Sequence, residues 1–194
     1  MSYFVIGLAV FLGVHSIAIV APTWRERMIA RLGEAPWKGL YSIVSVVSFV
    51  LLVWGYGLAR AEPIVLYAPP LWTRWLTAVL MLPVFPLLLA AYFPGRIKAA
   101  LKHPMLAGVK FWALAHLLTN GTLADVLLFG GFLVWAVFDR ISFKRREQTG
   151  LRTLPPSRIN DAIALIGGVA LYFIFMHVLH VLLIGVSPLP VHAS

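Results

Sequence analysis

The sequence predicts an all-α fold: a polytopic membrane helix bundle of about six transmembrane helices, with both termini outside the cytoplasm. Three observations carry this. The 194 residues are 61% hydrophobic and 12% charged, more apolar surface than a soluble domain of this size can hide. The apolar residues fall in six runs, over about 3–21, 40–58, 72–93, 105–119, 123–139 and 162–184. Runs of roughly 17–25 such residues mark membrane helices. The basic residues favour alternate connections. Arg25, Arg27, Arg31 and Lys38 lie between the first two runs, and Arg96, Lys98 and Lys102 between the third and fourth. Arg140, Lys144, Arg145, Arg146, Arg152 and Arg158 lie between the fifth and sixth, whereas the other connections hold only Arg60 and Arg74. This is the positive-inside pattern. Lys110, near the start of the fourth run, can snorkel to the same face.

Each element follows from local signals. Met1–Val20 has no Lys or Arg, so it lacks the basic start of a signal peptide and is expected to stay as the first span. Pro22 ends it. Trp54 and Tyr56, with Trp72 and Trp75, form an aromatic belt on the outer side. Pro83 and Pro86 should kink the third span, and Pro94-Gly95 should end it. The fourth and fifth runs are short and joined by Asn120-Gly121, a turn dipeptide, and so predict a helical hairpin. The basic connection 139–161 contains Pro155-Pro156. It has room for a short interfacial helix but no folded module. Ser157 or Asn160 can cap the last span, expected from Ala162. Asp139-Arg140 reads as an ion pair or a stop-transfer feature. The whole chain, 1–194, is one membrane domain without an internal repeat.

Composition also excludes functions. The net charge of +9 is spent on topology, so nucleic acid is not an expected partner; the lipid bilayer is. The absence of cysteine rules out disulfides, thiolate-held haem, iron–sulfur clusters and covalent haem attachment.

Two histidines stand inside apolar runs. A polar ring in hydrocarbon needs a partner and marks a functional position by default, and imidazole is a favoured ligand of metals and haem iron. Counting from Pro22, His15 lies roughly 10 Å from the inner end of its span. If Lys110 marks the inner interface, His116 lies roughly 9 Å beyond it, at a similar depth. Phe11 and Gly7 share the face of His15, as Trp112 and Gly108 share that of His116. An aromatic and a small residue make a wall for a flat macrocycle. Each ring could equally hydrogen-bond a neighbouring helix. His177 and His180, three apart in the last run, suit either a separate outer metal site or an interface with water. They lie roughly 22 and 27 Å from the inner end, away from the other pair. His192 falls in the tail. His103-Pro104 opens the fourth run beside Lys102, an anion site for a propionate, a lipid phosphate or a nucleotide-like cofactor.

Several segments resemble one family. They are Lys38–Ser45, Trp54–Arg60, Ala91-Tyr-Phe-Pro-Gly95, His103-Pro-Met-Leu-Ala-Gly-Val-Lys110, Trp112-Ala-Leu-Ala-His116, Asn120-Gly121 and Phe138-Asp-Arg140. Together they are similar to the NnrU family of bacterial inner-membrane proteins, named for a link to nitrite and nitric oxide reduction. The resemblance covers about residues 1–145 in order. The family includes the plastid zeta-carotene cis–trans isomerase, whose b-type haem is held by two histidines. Its ligand segments fall on Val14-His15-Ser16 and on His103, Trp112 and His116. The resemblance therefore implies haem b, with iron ligated by His15 and His116. Lys102, His103 and Lys110 would contact propionates and Trp112 would wall the site.

The function implied is redox-gated isomerisation of, or electron transfer to, a lipid-soluble substrate in the bacterial inner membrane, with the redox partner open. A non-enzymatic haem or nitric oxide sensor, or an assembly factor for nitrogen-oxide reductases, is the second expectation. A third comes from Lys102-His-Pro-Met-Leu-Ala-Gly108, which resembles a motif of isoprenylcysteine and phospholipid methyltransferases using S-adenosylmethionine. Those carry paired glutamates after an arginine beyond the hairpin. Here Arg140 leads to the single Glu147 among basic residues.

Overall fold

A computed structural model describes residues 1–143 and 154–189. Lys144, Arg145, Arg146, Glu147, Arg152 and His192, invoked above, lie outside the described residues. Among the described residues the regular structure is helical, apart from an isolated antiparallel bridge between Val65 and Thr122. Among the described residues four helices are long and apolar enough to cross a membrane: Ser2–Val20, Glu34–Ala61, Thr73–Tyr92 and Arg158–Ile184. Their outward faces suit lipid. Ile43, Val46, Val47 and Val50 are each 60% or more exposed, a band that water would penalise and hydrocarbon does not. The protein is thus a multi-pass membrane protein.

α1 (Ser2–Val20) is followed directly by α2 (Pro22–Leu32). Pro22 stops the first helix yet suits the first turn of the second, where its missing N–H is not needed. α2 was not among the elements expected from sequence. It places Arg25, Arg27 and Arg31 on a short amphipathic helix. α3 (Glu34–Ala61) then runs back antiparallel to α1. Gly7 faces the backbone of Leu52, and Gly55 faces that of Phe4. Small residues allow such close approach, which drives helix association where lipid removes the hydrophobic incentive.

α4 (Thr73–Met81) and α5 (Val84–Tyr92) form one interrupted span. The break falls at Leu82-Pro83, as proline chemistry predicts; Pro86 sits in the first turn of α5, where no N–H is required. α6 (Arg96–Leu101) is a short helix whose first N–H groups donate to Asp161, from Arg96 at 2.8 Å and from Ile97 at 3.1 Å.

α7 (Pro104–Thr119) and α8 (Leu123–Ser142) make the expected hairpin around Asn120-Gly121. Thr122 caps α8. Its Oγ1 accepts from Asp125 N while the Asp125 carboxylate accepts from Thr122 N at 3.0 Å. This capping box satisfies two donors that the helix start would otherwise strand. The Tyr67 hydroxyl reaches the carbonyls of Leu117 and Asn120, tying the connection before α4 to the hairpin. Burial, with the Asp125 carboxylate adding to it, pushes this hydroxyl above the usual tyrosine range, so it stays a donor.

α9 (Arg158–Ile184) is capped by Ser157, whose Oγ accepts from Ile159 N at 3.2 Å, so the last span starts four residues before Ala162. Asn160 does not cap. Its Nδ2 donates to Pro94 O and Pro155 O, both at 2.9 Å. Two wide π-type turns, Ile163–Gly167 and Phe175–Leu179, interrupt α9. α7 is central, packed on α8, α5 and α4; α1 and α3 flank α8, and α9 leans on α5. Phe4, Leu8, Leu52, Ala113, Leu128 and Phe129 interlock at the core between α1, α3, α7 and α8.

Candidate functional site

A cavity of about 580 Å³ lies between α3, α4, α5, α7, α8 and α9, within the 300–1,000 Å³ of small-molecule sites. Its walls are mostly aromatic and aliphatic, including Phe85, Leu88, Trp112, Phe129 and Phe132. Four cationic or imidazole side chains line it: His116, His180, Arg60 and Arg74.

His116 is held from behind. Its Nδ1 stands 2.8 Å from Trp112 O, four residues earlier. A carbonyl only accepts, so Nδ1 carries the proton and Nε2 keeps the lone pair. The ring stacks on Phe129 at 4.6 Å and 25°, with Trp112 at 5.5 Å. Trp112 stands edge-on to Phe129 and Phe132, and Gly108 also lines the wall. The Asn120 amide donates to His116 O at 2.9 Å, securing the end of α7.

His15 has the same local chemistry in a different place. Its Nδ1 donates to Phe11 O at 2.7 Å. Its ring meets Phe11 at 4.2 Å, Tyr41 at 5.5 Å and Trp135 at 6.2 Å. The buried Trp135 indole N–H has no hydrogen-bond partner among the described residues. His15 is not part of the cavity lining. Phe11 meets Phe132, and Phe132 meets Trp112, so an aromatic layer stands between the two histidines. Along α8 His15 lies level with Trp135 and His116 with Phe129, roughly 9 Å apart at 1.5 Å per residue. Of the two rings, His116 lines the cavity and His15 does not. The similar depth expected for them rested on Lys110 marking an interface. In fact α7 starts at Pro104, Lys110 is almost two turns inside it, and His116 is four residues from Asn120 at the opposite end.

Lys102, His103 and Lys110 do not line the cavity either. His103 precedes α7 and stacks on Phe143 at 4.1 Å. Lys102 ends α6 with φ of 62°, a left-handed conformation uncommon for a residue with a Cβ. Both belong to the end of the bundle that carries the basic connections. The cations at the cavity are Arg60 and Arg74. Arg60 donates to Ile184 O at 3.3 Å and stands 5.9 Å from the centre of the Tyr56 ring. The Tyr56 hydroxyl donates to Asp125 at 2.5 Å. The sequence held a signal for these arginines: they are the two exceptions to its charge asymmetry.

His177 and His180 part company. His177 is exposed and lies parallel to Phe173, their rings 6.3 Å apart. His180 turns inward, its Nδ1 donating to Val186 O at 2.7 Å. The earlier placement of both histidines away from His116 is therefore corrected for His180. Among the described residues no group of three or more His, Asp or Glu could hold a bare metal ion.

Searches against curated proteins and against solved structures return no match. The family model described as NnrU protein matches residues 3–188, nearly the full length and well beyond the segments that carry the resemblance in the sequence. The chain therefore belongs to the NnrU family.

Proposed function

We propose that the cavity holds haem b and that His116 supplies an iron ligand. The observation that carries this reading is the His116 ring. Its Nδ1 is committed to Trp112 O, which leaves Nε2 for a Lewis acid in an apolar cavity of about 580 Å³. An Nδ1–H···O=C bond behind a ligating imidazole is the usual second-shell arrangement at metal sites. The residues present fit the group. A porphyrin has a flat apolar body and two acidic tails. The aromatic walls suit the body, and Arg60 and Arg74 suit the tails better than Lys102, His103 and Lys110, which stand elsewhere. Trp112 walls the ring plane beside the ligand.

Bound haem would supply one-electron chemistry and a position for a small diatomic ligand. The protein would exclude water from that chemistry and hold the acidic tails at one end. On this reading the protein is a haem-carrying member of its family in the bacterial inner membrane, connected with nitrite and nitric oxide metabolism. It would serve electron transfer to, or redox-gated isomerisation of, a lipid-soluble molecule. The test is a visible spectrum of the full chain purified in detergent. A Soret band that shifts and sharpens on dithionite reduction is the expected result. Tight binding of S-adenosylmethionine without such a band would overturn the proposal in favour of methyl transfer.

The basic end of the bundle should face the cytoplasm, because Arg25, Arg27, Arg31, Arg96, Lys98 and Arg158 all gather there. A reporter active only outside the cytoplasm should work when fused after Ser194 and fail when inserted after Arg146. The reverse pattern would invert the topology and place the cavity's arginines on the cytoplasmic side.

A further inference from the structure

We propose that His180 would supply the second iron ligand at this haem site, in the place that the sequence suggests for His15. The inference rests on the haem reading above and names a ligand from the last helix. His180 and His116 are the two imidazoles that line the cavity. Their second nitrogens are disposed alike. His116 donates Nδ1–H to Trp112 O, and His180 donates Nδ1–H to Val186 O. Each ring is thus fixed from behind by a backbone carbonyl, with Nε2 as its remaining lone pair.

The backbone goes to some length to put His180 there. Tyr172, Met176, His180 and Ile184 all line the cavity and are spaced four apart. In a regular α-helix each step of four drifts by roughly 40°, at 100° per residue. The stripe would turn away from the cavity within a few steps. The π-type turn Phe175–Leu179 sits immediately before His180. Its wider i→i+5 winding reduces that drift, and such turns occur most often at functional positions. It also separates His180 from His177, which a plain α-helix would keep on one face. Gly185 then takes φ of 78°, a left-handed cap that glycine adopts without strain. That turn brings Val186 back over the ring to accept its proton.

The other ligand types at the cavity are hydroxyls, which are committed, and thioethers. The Tyr56 hydroxyl donates to Asp125 and the Tyr172 hydroxyl to Ala78 O at 2.8 Å. Met81 and Met176 are the competing donors, as thioethers. His15 lies beyond the aromatic layer of Phe11, Phe132 and Trp112.

The experiment uses the full chain in detergent, with hemin as the probe and visible and electron paramagnetic resonance spectra as the readout. Wild type should give low-spin, six-coordinate ferric haem. His180→Ala should give high-spin, five-coordinate haem still held through His116. His15→Ala and Met176→Leu should keep the low-spin spectrum. If His180→Ala releases haem altogether, His180→Gly supplied with imidazole decides: return of the low-spin signal supports the assignment, and failure to return overturns it. A low-spin His180→Ala protein, or a high-spin His15→Ala protein, would overturn the assignment while leaving the haem reading intact. A wild type that takes up no hemin would overturn the haem reading itself.

Discussion

Supplied with haem, the His116→Ala protein is expected to retain about a tenth of the wild-type haem or less. Even the partners that merely orient a ligating histidine are worth about 10–100-fold in metal affinity, and the ligand itself should cost no less. The prediction reads haem content per folded protein, so folding must be held apart from binding. The structure indicates that it is. His116 is half-buried at the cavity wall, and its side-chain hydrogen bond is to its own helix. Alanine leaves every backbone hydrogen bond of α7 in place, as a helix in lipid requires. The substitution gives up the ring's stacking on Phe129 and leaves the buried Ala113 and Ala115 in place. Arg60→Ala or Arg74→Ala should loosen haem retention more mildly, because a contact to an acidic tail positions the ring without binding iron. Wild-type haem content in folded His116→Ala would remove the basis for placing the cofactor in this cavity.

The parts legible in the sequence are those written locally. The apolar runs and alternating charge are compositional, so the membrane class and the basic end follow without packing. Pro83 breaks its helix, and Asn120-Gly121 turns the hairpin, because both act through their own backbone. What is not written locally is the register between helices. His15 and His116 each sit on an apolar face with an aromatic four residues earlier, and nothing local distinguishes a ring in the cavity from one behind Phe11 and Phe132. The depth reckoning needed to know where α7 starts, and it started from Lys110 when the helix begins at Pro104. His180 was missed for another reason. The face that it presents depends on a π-type turn, and the spacing of His177 and His180 was read on a regular helix. Arg60 and Arg74 were visible as exceptions to the charge pattern, but only the fold puts both at one cavity.

Gly55→Leu is expected to destabilise the bundle by about 3 kcal/mol or more, at the upper end of overpacking costs. A Cβ at this position would lie 2.7 Å from Phe4 Cα and 2.8 Å from Tyr3 C, both backbone atoms of α1. Neither can rotate aside, so α1 and α3 must separate. The reciprocal contact leaves no slack, since a Cβ on Gly7 would meet Leu52 Cα at 2.7 Å. Separation would also loosen Phe4, fully buried, and Leu52, 5% exposed, from the shared core. Helix propensity works the other way. Replacing glycine in a helix gains up to about 1 kcal/mol, too little to offset the clash. Gly57 isolates that term. It lies two residues on, and a Cβ there would meet nothing within 4 Å. Gly57→Ala should therefore be neutral or slightly stabilising. For a chain of this length 3 kcal/mol corresponds to roughly 6–12 °C in Tm, readable by tryptophan fluorescence of the detergent-solubilised protein. Equal effects at the two glycines, or a stable Gly55→Leu protein, would mean that α1 and α3 do not cross where the structure places them.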